Sequence, residues 1–440
     1  MAVKIAGGGL AGSEAAWQLA SRGIPVELFE MRPNLSTPAH SSGELAELVC
    51  SNSLGGGPTA ASRLLQEELT CLGSLIMEAA CAVRVPAGGA LAVDRGLFAR
   101  YVTERLERHP LITIRRDEVT EIFPTGIRII ATGPLTSDKL AAALETYAGG
   151  RLFFFDAIAP TMTVESIDQS RVFRASRYER GEADYLNCPM NKETYLAFQE
   201  ALARAERHPL HSFEKAIYFE GCLPVEVLAE RGVDTLRFGP LKPVGLTDPR
   251  TGERPYAVVQ LRQETVSGLL YSLVGFQTNL RWSEQRRVFR LIPGLENAEF
   301  VRYGVMHRNT YLVSPRILHC TLESRRDPGL FFAGQLTGVE GYLESTAMGL
   351  LAGINAAARY RGAETVVLPA TTMVGALASY LEKTDPGHFQ PMNANFGLLP
   401  ASDEGIRDKK RKKEQLIGRA LRDLAEFLIA TPVACPNPLC

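Results

Sequence analysis

The chain has 440 residues, 45% hydrophobic, 22% charged and 8% aromatic, which excludes disordered, collagen-like and coiled-coil classes and suggests two or three globular units. Forty-eight basic against 49 acidic side chains leave a net charge of −1, so any polyanion site must be a local patch rather than a global field. No apolar run reaches the roughly 18 to 20 residues of a membrane span, the N-terminus carries no secretory pattern, and eight scattered cysteines are too sparse for a disulfide scaffold. A cytoplasmic protein with reduced thiols is expected.

In chain order, Val3 to Ala6 reads as a short apolar strand, and Gly7-Gly8-Gly9-Leu10-Ala11-Gly12 follows at once. A helix is predicted over about Ser13 to Arg22 with Gly23 as its left-handed C-terminal residue, then a second strand from Ile24 to Glu30. Gly7, Gly9 and Gly12 occupy the three glycine positions of a dinucleotide-binding turn. They would allow a tight turn, close approach of backbone to a pyrophosphate, and close packing of helix on strand. Glu30, at the end of the second strand, is placed to accept a ribose hydroxyl, and Arg32 beside it joins the candidate cofactor residues. Arg128 to Pro134 reads as a further buried strand and turn, with Ser137 capping a helix that runs to Leu144.

From about 150 to 300 the texture changes to alternating segments such as Tyr256 to Leu261, mixed with helices and turns. At Gly329 to Gly334 a strand of the opening kind returns, followed by the loop Gly334-Gln335-Leu336-Thr337-Gly338-Val339-Glu340-Gly341-Tyr342 and a helix over about Glu344 to Arg359. Two loops touching one nucleotide suit a long FAD better than a compact NAD site, so Gly334, Gln335, Gly341 and Tyr342 are the flavin-side candidates. The expected fold is α/β: a Rossmann-like FAD-binding domain of the glutathione-reductase type, interrupted by an α+β insertion domain. The predicted units are 1–150 and 306–370 for the two parts of the FAD domain and 151–305 for the insertion on the substrate side. A C-terminal helical segment with a basic run takes 371–440.

Cys50, among small polar residues before Gly55-Gly56-Gly57, and Cys222, ahead of what reads as a helix start, are the cysteines whose surroundings suit a reactive thiolate. Each also has a bland reading as a small buried side chain. Cys71, Cys81, Cys188 and Cys320 read as structural, and Cys435 and Cys440 as exposed bystanders. No Cys-x-x-Cys pair and no metal-ligand spacing occur, so no metal is expected. Two basic clusters stand out: Arg407 to Lys413, including Lys409, Lys410 and Arg411, and a helix face carrying Arg281, Arg286 and Arg287 next to Trp282. Either is a phosphate-backbone footprint or a solvated face.

Three segments carry a family resemblance: Glu220 to Gly245, Glu47 to Leu54, and Gly304 to Tyr311, supported by Gly334 to Gly353. Together they resemble the bacterial folate- and FAD-dependent tRNA (uracil-5-)-methyltransferases, nearly end to end. The resemblance implies methylation of C5 of a T-loop uridine in tRNA. Its carbon donor would be 5,10-methylenetetrahydrofolate and its reductant reduced FAD, reloaded by NAD(P)H. Cys222 matches the family cysteine that adds to uracil C6 and turns the weakly nucleophilic C5 into an enolate carbon. Cys50 matches the second essential cysteine, with proton transfer or handling of the methylene carbon as its role. His307 matches a position expected against the folate pterin. The glycine-rich stretch after Leu54 departs from the expected pattern. Two rival functions are flavin-dependent carboxymethylaminomethylation of tRNA uridine and a plain NAD(P)H–flavin oxidoreductase; a third is a flavoprotein acting only as an RNA-binding module. Nothing in the chain points to a protein partner besides the tRNA.

Overall fold

The computed structural model describes residues 2–37, 39–57, 60–150, 152–179, 182–208, 223–401 and 408–431, excepting the side chains of 152–156, 306–308 and 409. Cys222, Cys435 and Cys440 therefore lie outside the described residues, as does the side chain of His307.

Five parallel strands form the nucleotide sheet, in the order Leu330–Phe332, Arg128–Ile130, Val3–Ala6, Val26–Phe29 and Ile112–Arg115. Its central strands bury apolar side chains on both faces, Ile5, Leu28 and Ile129 in one cluster and Ala6 and Ile130 in another with Leu140 and Leu144 of the helix Asp138–Ala148, because helices cover both. Early and late chain meet here: the strand 330–332 pairs with 128–130, and the long helix Tyr342–Tyr360 packs along Leu10–Ala20. A return of the opening texture late in the chain is thus a return to the same sheet.

The chain leaves and re-enters this layer through a two-stranded antiparallel ribbon, Leu152–Ala157 against Met306–Tyr311. Between them lies a six-stranded sheet, ordered Phe173–Arg174, Tyr185–Met190, Ala257–Gln263, Leu270–Leu273, Thr161–Thr163 and Phe300–Arg302, antiparallel throughout. It has its own core, in which Phe276, Phe289, Tyr195 and Phe198 are fully buried. The alternation expected at Tyr256 to Leu261 is not observed: Ala257 to Leu261 are all buried, because this strand is central and covered on both faces. A three-stranded sheet of Ser53–Gly56, Ala90–Val93 and Arg84–Val85 supports the Cys50 segment.

Other local expectations shift by small, explicable amounts. The first helix begins at Leu10, inside the glycine turn, since only Gly9 is needed as its N-terminal cap. Ser137 stands at the N-cap of the helix Asp138–Ala148, but its hydroxyl makes no capping bond. Cys188 is buried as expected, whereas Cys71 and Cys81 are exposed rather than structural core, because both face outward on their helices. Gly55 and Gly57 adopt φ of 81° and 99°, and a Cβ at Gly56 would lie 2.2 Å from Ala90 Cα, so the glycine-rich departure is required by the edge it forms.

The C-terminal segment is fixed by an acid from the opposite end of the chain. Glu68, fully buried, accepts the N–H groups of Met373 (2.7 Å) and Val374 (2.9 Å), the first turn of the helix Met373–Lys383. Burial pushes its carboxyl up to about 7, despite those donors. Glu68→Ala should leave two buried N–H groups unpaired and cost about 2–4 kcal/mol in urea unfolding. Because the folded value lies above the unfolded one, this carboxyl favours the fold fully below about pH 4.5 and loses that contribution as pH rises through about 7. Glu68→Gln should therefore flatten the decline of unfolding free energy over that window.

Candidate active site

The glycine turn forms a cradle. Gly7 has φ of +99°, and a Cβ on Gly12 would lie 1.8 Å from Gly7 O, so the helix sits directly on the turn only because Gly12 lacks one. At Gly9 a Cβ would meet nothing within 4 Å: this glycine faces open space at the start of the helix Leu10–Ala20, which has no acidic residue in its first turn. Unpaired helix N–H groups facing a concavity bind phosphate. The cleft beside it, about 520 Å³, is lined by Gly7, Gly9, Glu30, Arg32, His40 and Thr132 among others.

Glu30 and Arg32 are held rather than free. The Glu30 carboxylate accepts the Gly8 N–H (2.9 Å) and the Arg32 backbone N–H and Nε (3.0 and 2.9 Å), and Arg32 also pairs with Glu47 at 3.0 Å. These bonds outweigh burial and keep the Glu30 carboxyl below its ordinary value, leaving an ionised acceptor at the cleft wall. Arg32 is 1% exposed, and its guanidinium holds the Glu30 and Glu47 carboxylates. His40, which the sequence reading missed, lines the same cleft; burial, with Arg32 nearby, lowers its imidazole to about 4.

A second cleft of about 1000 Å³ is lined by Cys50, Ser51, Pro134, Gln277, Asn309, Gln335, Gly341, Tyr342 and Glu344, with others. Gly334, at the head of its floor, has φ of +75°, and a Cβ there would lie 2.7 Å from Ala11 Cβ, so the late loop reaches the start of the first helix. Gln335 Nε2 donates to Glu340 at 2.5 Å. The Tyr342 hydroxyl opens the helix 342–360 and accepts the N–H groups of both Cys50 (2.8 Å) and Ser51 (3.1 Å). Burial, then the neighbouring Cys50, pushes the phenol up, so it stays protonated at neutral pH. Cys50 is half-buried, its thiol 3.6 Å from the Ala157 carbonyl. The segment is pinned on both sides, by Arg302 on the Val49 carbonyl (2.7 Å) and by Asn52 Nδ2 on the Val93 and Gln263 carbonyls (3.1 and 2.9 Å). Glu344, another residue missed, is buried in the same wall; it accepts the Ala394 N–H, and burial raises it to about 7. Neither Glu344 nor Asn309 follows from a spacing or a periodicity, and only the fold brings them here.

Val225, three residues beyond Cys222 in sequence, is tied to a residue that lines this cleft. Val225 N–H donates to the Gln277 carbonyl at 2.8 Å, and Gln277 lines the cleft. His307 contributes its backbone to the ribbon, opposite Asp156. The basic residues separate into two groups. On the helix Trp282–Phe289, Arg287 pairs with Glu284 (2.6 Å) and Arg281 with Glu206 (2.9 Å), while Arg286 donates to the Tyr303 hydroxyl at 2.7 Å. Trp282, 55% exposed, stacks on Tyr303 with ring centroids 5.5 Å apart. Lys410 and Arg411 lie in the first turn of the helix Lys409–Ala430, which Asp408 caps. No cluster of potential metal ligands occurs among the described residues.

Residues 2–364 match the family model described as glucose inhibited division protein A. The chain belongs to this family. Within it, the chain is 59% identical over 427 residues to a protein of Pelotomaculum thermopropionicum and 61% over 430 residues to one of Desulforudis audaxviator; each alignment covers 97% of this chain and 98% of the relative. A Streptococcus pneumoniae relative is 57% identical over 437 residues. All three are named methylenetetrahydrofolate–tRNA-(uracil-5-)-methyltransferase TrmFO. The solved glucose inhibited division protein A of Aquifex aeolicus shares the fold, with a TM-score of 0.69 at 18% identity over 97% of this chain and 73% of that one.

The cradle, the acidic acceptor and the second loop fit FAD in this family member: open space at Gly9 for phosphate, and a second concavity at the N-terminus of the helix 342–360. Gly9→Ala should leave the thermal unfolding of the apoprotein within about 1 kcal/mol of wild type, since its methyl meets no protein atom. It should nevertheless lower FAD affinity by an order of magnitude or more in a fluorescence titration. Gly12→Ala should lower both stability and FAD affinity.

Proposed function

We infer that this protein methylates C5 of a uridine in the T-loop of tRNA, taking the carbon from 5,10-methylenetetrahydrofolate. The observation that carries the reading is one cleft lined by Cys50, by the Gly341–Tyr342 helix start, and by Gln277, which is tied to the chain directly following Cys222. The names of the relatives and the resemblance of the Cys222 segment agree with it.

In this reading the Cys222 thiolate adds to uracil C6 and C5 attacks the methylene carbon of the folate. The C5 proton then leaves and the carbon–nitrogen bond breaks, releasing tetrahydrofolate and leaving an exocyclic methylene on C5. Hydride addition to that methylene restores the C5–C6 double bond and expels the sulfur. FAD held at the Gly7–Gly12 turn and the Gly334–Tyr342 loop, once reduced by NAD(P)H, would supply the hydride that takes the one-carbon unit from the methylene to the methyl level. Cys50 handles the departing proton, with its backbone fixed by the Tyr342 hydroxyl and its thiol directed at the Ala157 carbonyl. His307 borders the pterin. Residues 151–305 form the substrate side, where the exposed Trp282, backed by the half-buried Tyr303, gives a stacking surface and Arg286 a charge. Arg281, Arg287, Lys409, Lys410 and Arg411 add phosphate contacts. Arg302, next to Tyr303, holds the carbonyl of the cleft residue Val49, so this surface adjoins the cleft mouth. A cytosolic location suits these substrates, and among the described residues no helix is long and apolar enough to cross a membrane.

Undermodified tRNA incubated with the enzyme, NADPH and methylenetetrahydrofolate labelled in its one-carbon unit should yield labelled 5-methyluridine. Cys222→Ala should abolish that label while still shifting tRNA in a gel. Label arriving from S-adenosylmethionine instead would overturn the reading. Trp282→Ala should weaken tRNA binding by about 1–3 kcal/mol if a base stacks there, with FAD content unchanged.

A further inference from the structure

Asn309 has a property that no other buried asparagine among the described residues shares. It is 1% exposed, and both its Oδ1 and its Nδ2 lack any hydrogen-bond partner. Asn355, by contrast, donates to the Thr321 and Val366 carbonyls and accepts the Val366 N–H, and Asn187 donates to three carbonyls and accepts from Gln260. A buried carboxamide with neither atom satisfied is costly, and one that lines a cleft is a natural point for a ligand or water to complete. Asn309 lines the cleft that also holds Cys50, Pro134, Gln335 and Tyr342. Its strand is held on the ribbon by pairing opposite Phe154 and, at the next residue, by Thr310 N–H on the Pro134 carbonyl at 3.2 Å. The side chain is thus presented from a fixed backbone.

A carboxamide offers one acceptor and one donor along a single edge, and its complement is an N–H next to a C=O on a planar ring, as when asparagine reads a base. Flavin, pterin and uracil all carry such an edge. The flavin is favoured because this cleft is built by the strand-to-helix loop whose Gly334 abuts Ala11 beside the glycine cradle, so an occupant anchored by its pyrophosphate at Gly9 extends into it. We propose that the Asn309 carboxamide pairs with the N3–H and adjacent carbonyl of the flavin pyrimidine ring and sets the orientation of that ring beneath Cys50. Asn309 is a positioning residue, and the proposal rests on the FAD reading above.

The test uses the full-length apoprotein titrated with FAD, with FAD methylated at N3, and with ADP, for wild type, Asn309→Leu and Asn309→Asp. Wild type should prefer FAD to the N3-methyl analogue by about tenfold or more, the loss expected when a buried pair is broken. Asn309→Leu should bind both flavins equally and more weakly than wild type binds FAD, with ADP affinity unchanged. Its apoprotein should unfold at the same temperature as wild type or higher, because the substitution removes two unsatisfied polar atoms. A merely structural asparagine would instead lower the unfolding temperature and leave flavin discrimination intact. Asn309→Asp, which retains the shape but loses the donor, should fall between the two in FAD affinity. If wild type binds FAD tightly but Asn309→Leu keeps the preference for unmethylated flavin, this proposal fails alone. It fails alone, too, if the only loss in Asn309→Leu is tetrahydrofolate binding to the FAD-loaded variant, which would assign the edge to the pterin. If wild type binds neither FAD nor ADP, the FAD reading itself is wrong.

Discussion

One phenol oxygen organises the reactive end of this molecule. Tyr342 takes the N–H groups of Cys50 and Ser51 from a segment 292 and 291 residues away in sequence, at the first residue of the helix 342–360. Because burial keeps that phenol neutral, it holds the loop without placing a negative charge beside the Cys50 thiol. The Val49 and Asn52 contacts then tie the Cys50 segment to the six-stranded sheet, through Arg302 and Gln263, and to the three-stranded sheet, through Val93, so Cys50 sits between those layers and the helix 342–360.

The fold that supports this bridge is closed by small residues. Against Leu10–Ala20, a Cβ at Gly349 would lie 2.2 Å from Ala11 O, and one at Gly353 would lie 2.9 Å from Ala15 O. Two helices from opposite ends of the chain therefore touch backbone to backbone, which brings the Gly334 loop onto the first helix. Glu14 does comparable work one layer out, accepting the Ser74 hydroxyl (2.7 Å) and the Ile76 N–H (3.1 Å) at the start of the helix Leu75–Ala82. Glu14 and Glu68 are thus buried carboxylates that each cap a helix from a distant segment.

The sequence made the nucleotide half legible because its chemistry is local: glycines at fixed spacing, an acid at the end of the next strand, and a later strand-loop-helix of the same kind. Cys50 was legible from its neighbours, and Tyr342 from the loop it ends. Glu344, His40, Gln277 and Asn309 were not, since each gains its meaning from a segment distant in the chain or from what it fails to contact, and no periodicity encodes either. Arg32 lines the same cleft as His40, and what only the fold shows is that its guanidinium is paired with Glu30 and Glu47. Cys71 and Cys81 were misplaced because the apolar residues around them gave no sign of which helix face would turn outward.

The backbone contact between Leu10–Ala20 and Tyr342–Tyr360 also governs when the molecule can come into being. A ribosome makes the first helix early, but the surface that covers its Ala11 and Ala15 emerges only after most of the chain has been translated. Until then the loop that lines the second cleft is missing, and a nascent chain offers a dinucleotide the glycine cradle without the concavity beyond it. Full seating of the prosthetic group must wait for the helix 342–360, and a truncation before residue 334 yields a polypeptide that carries the binding motif without the second half of the site.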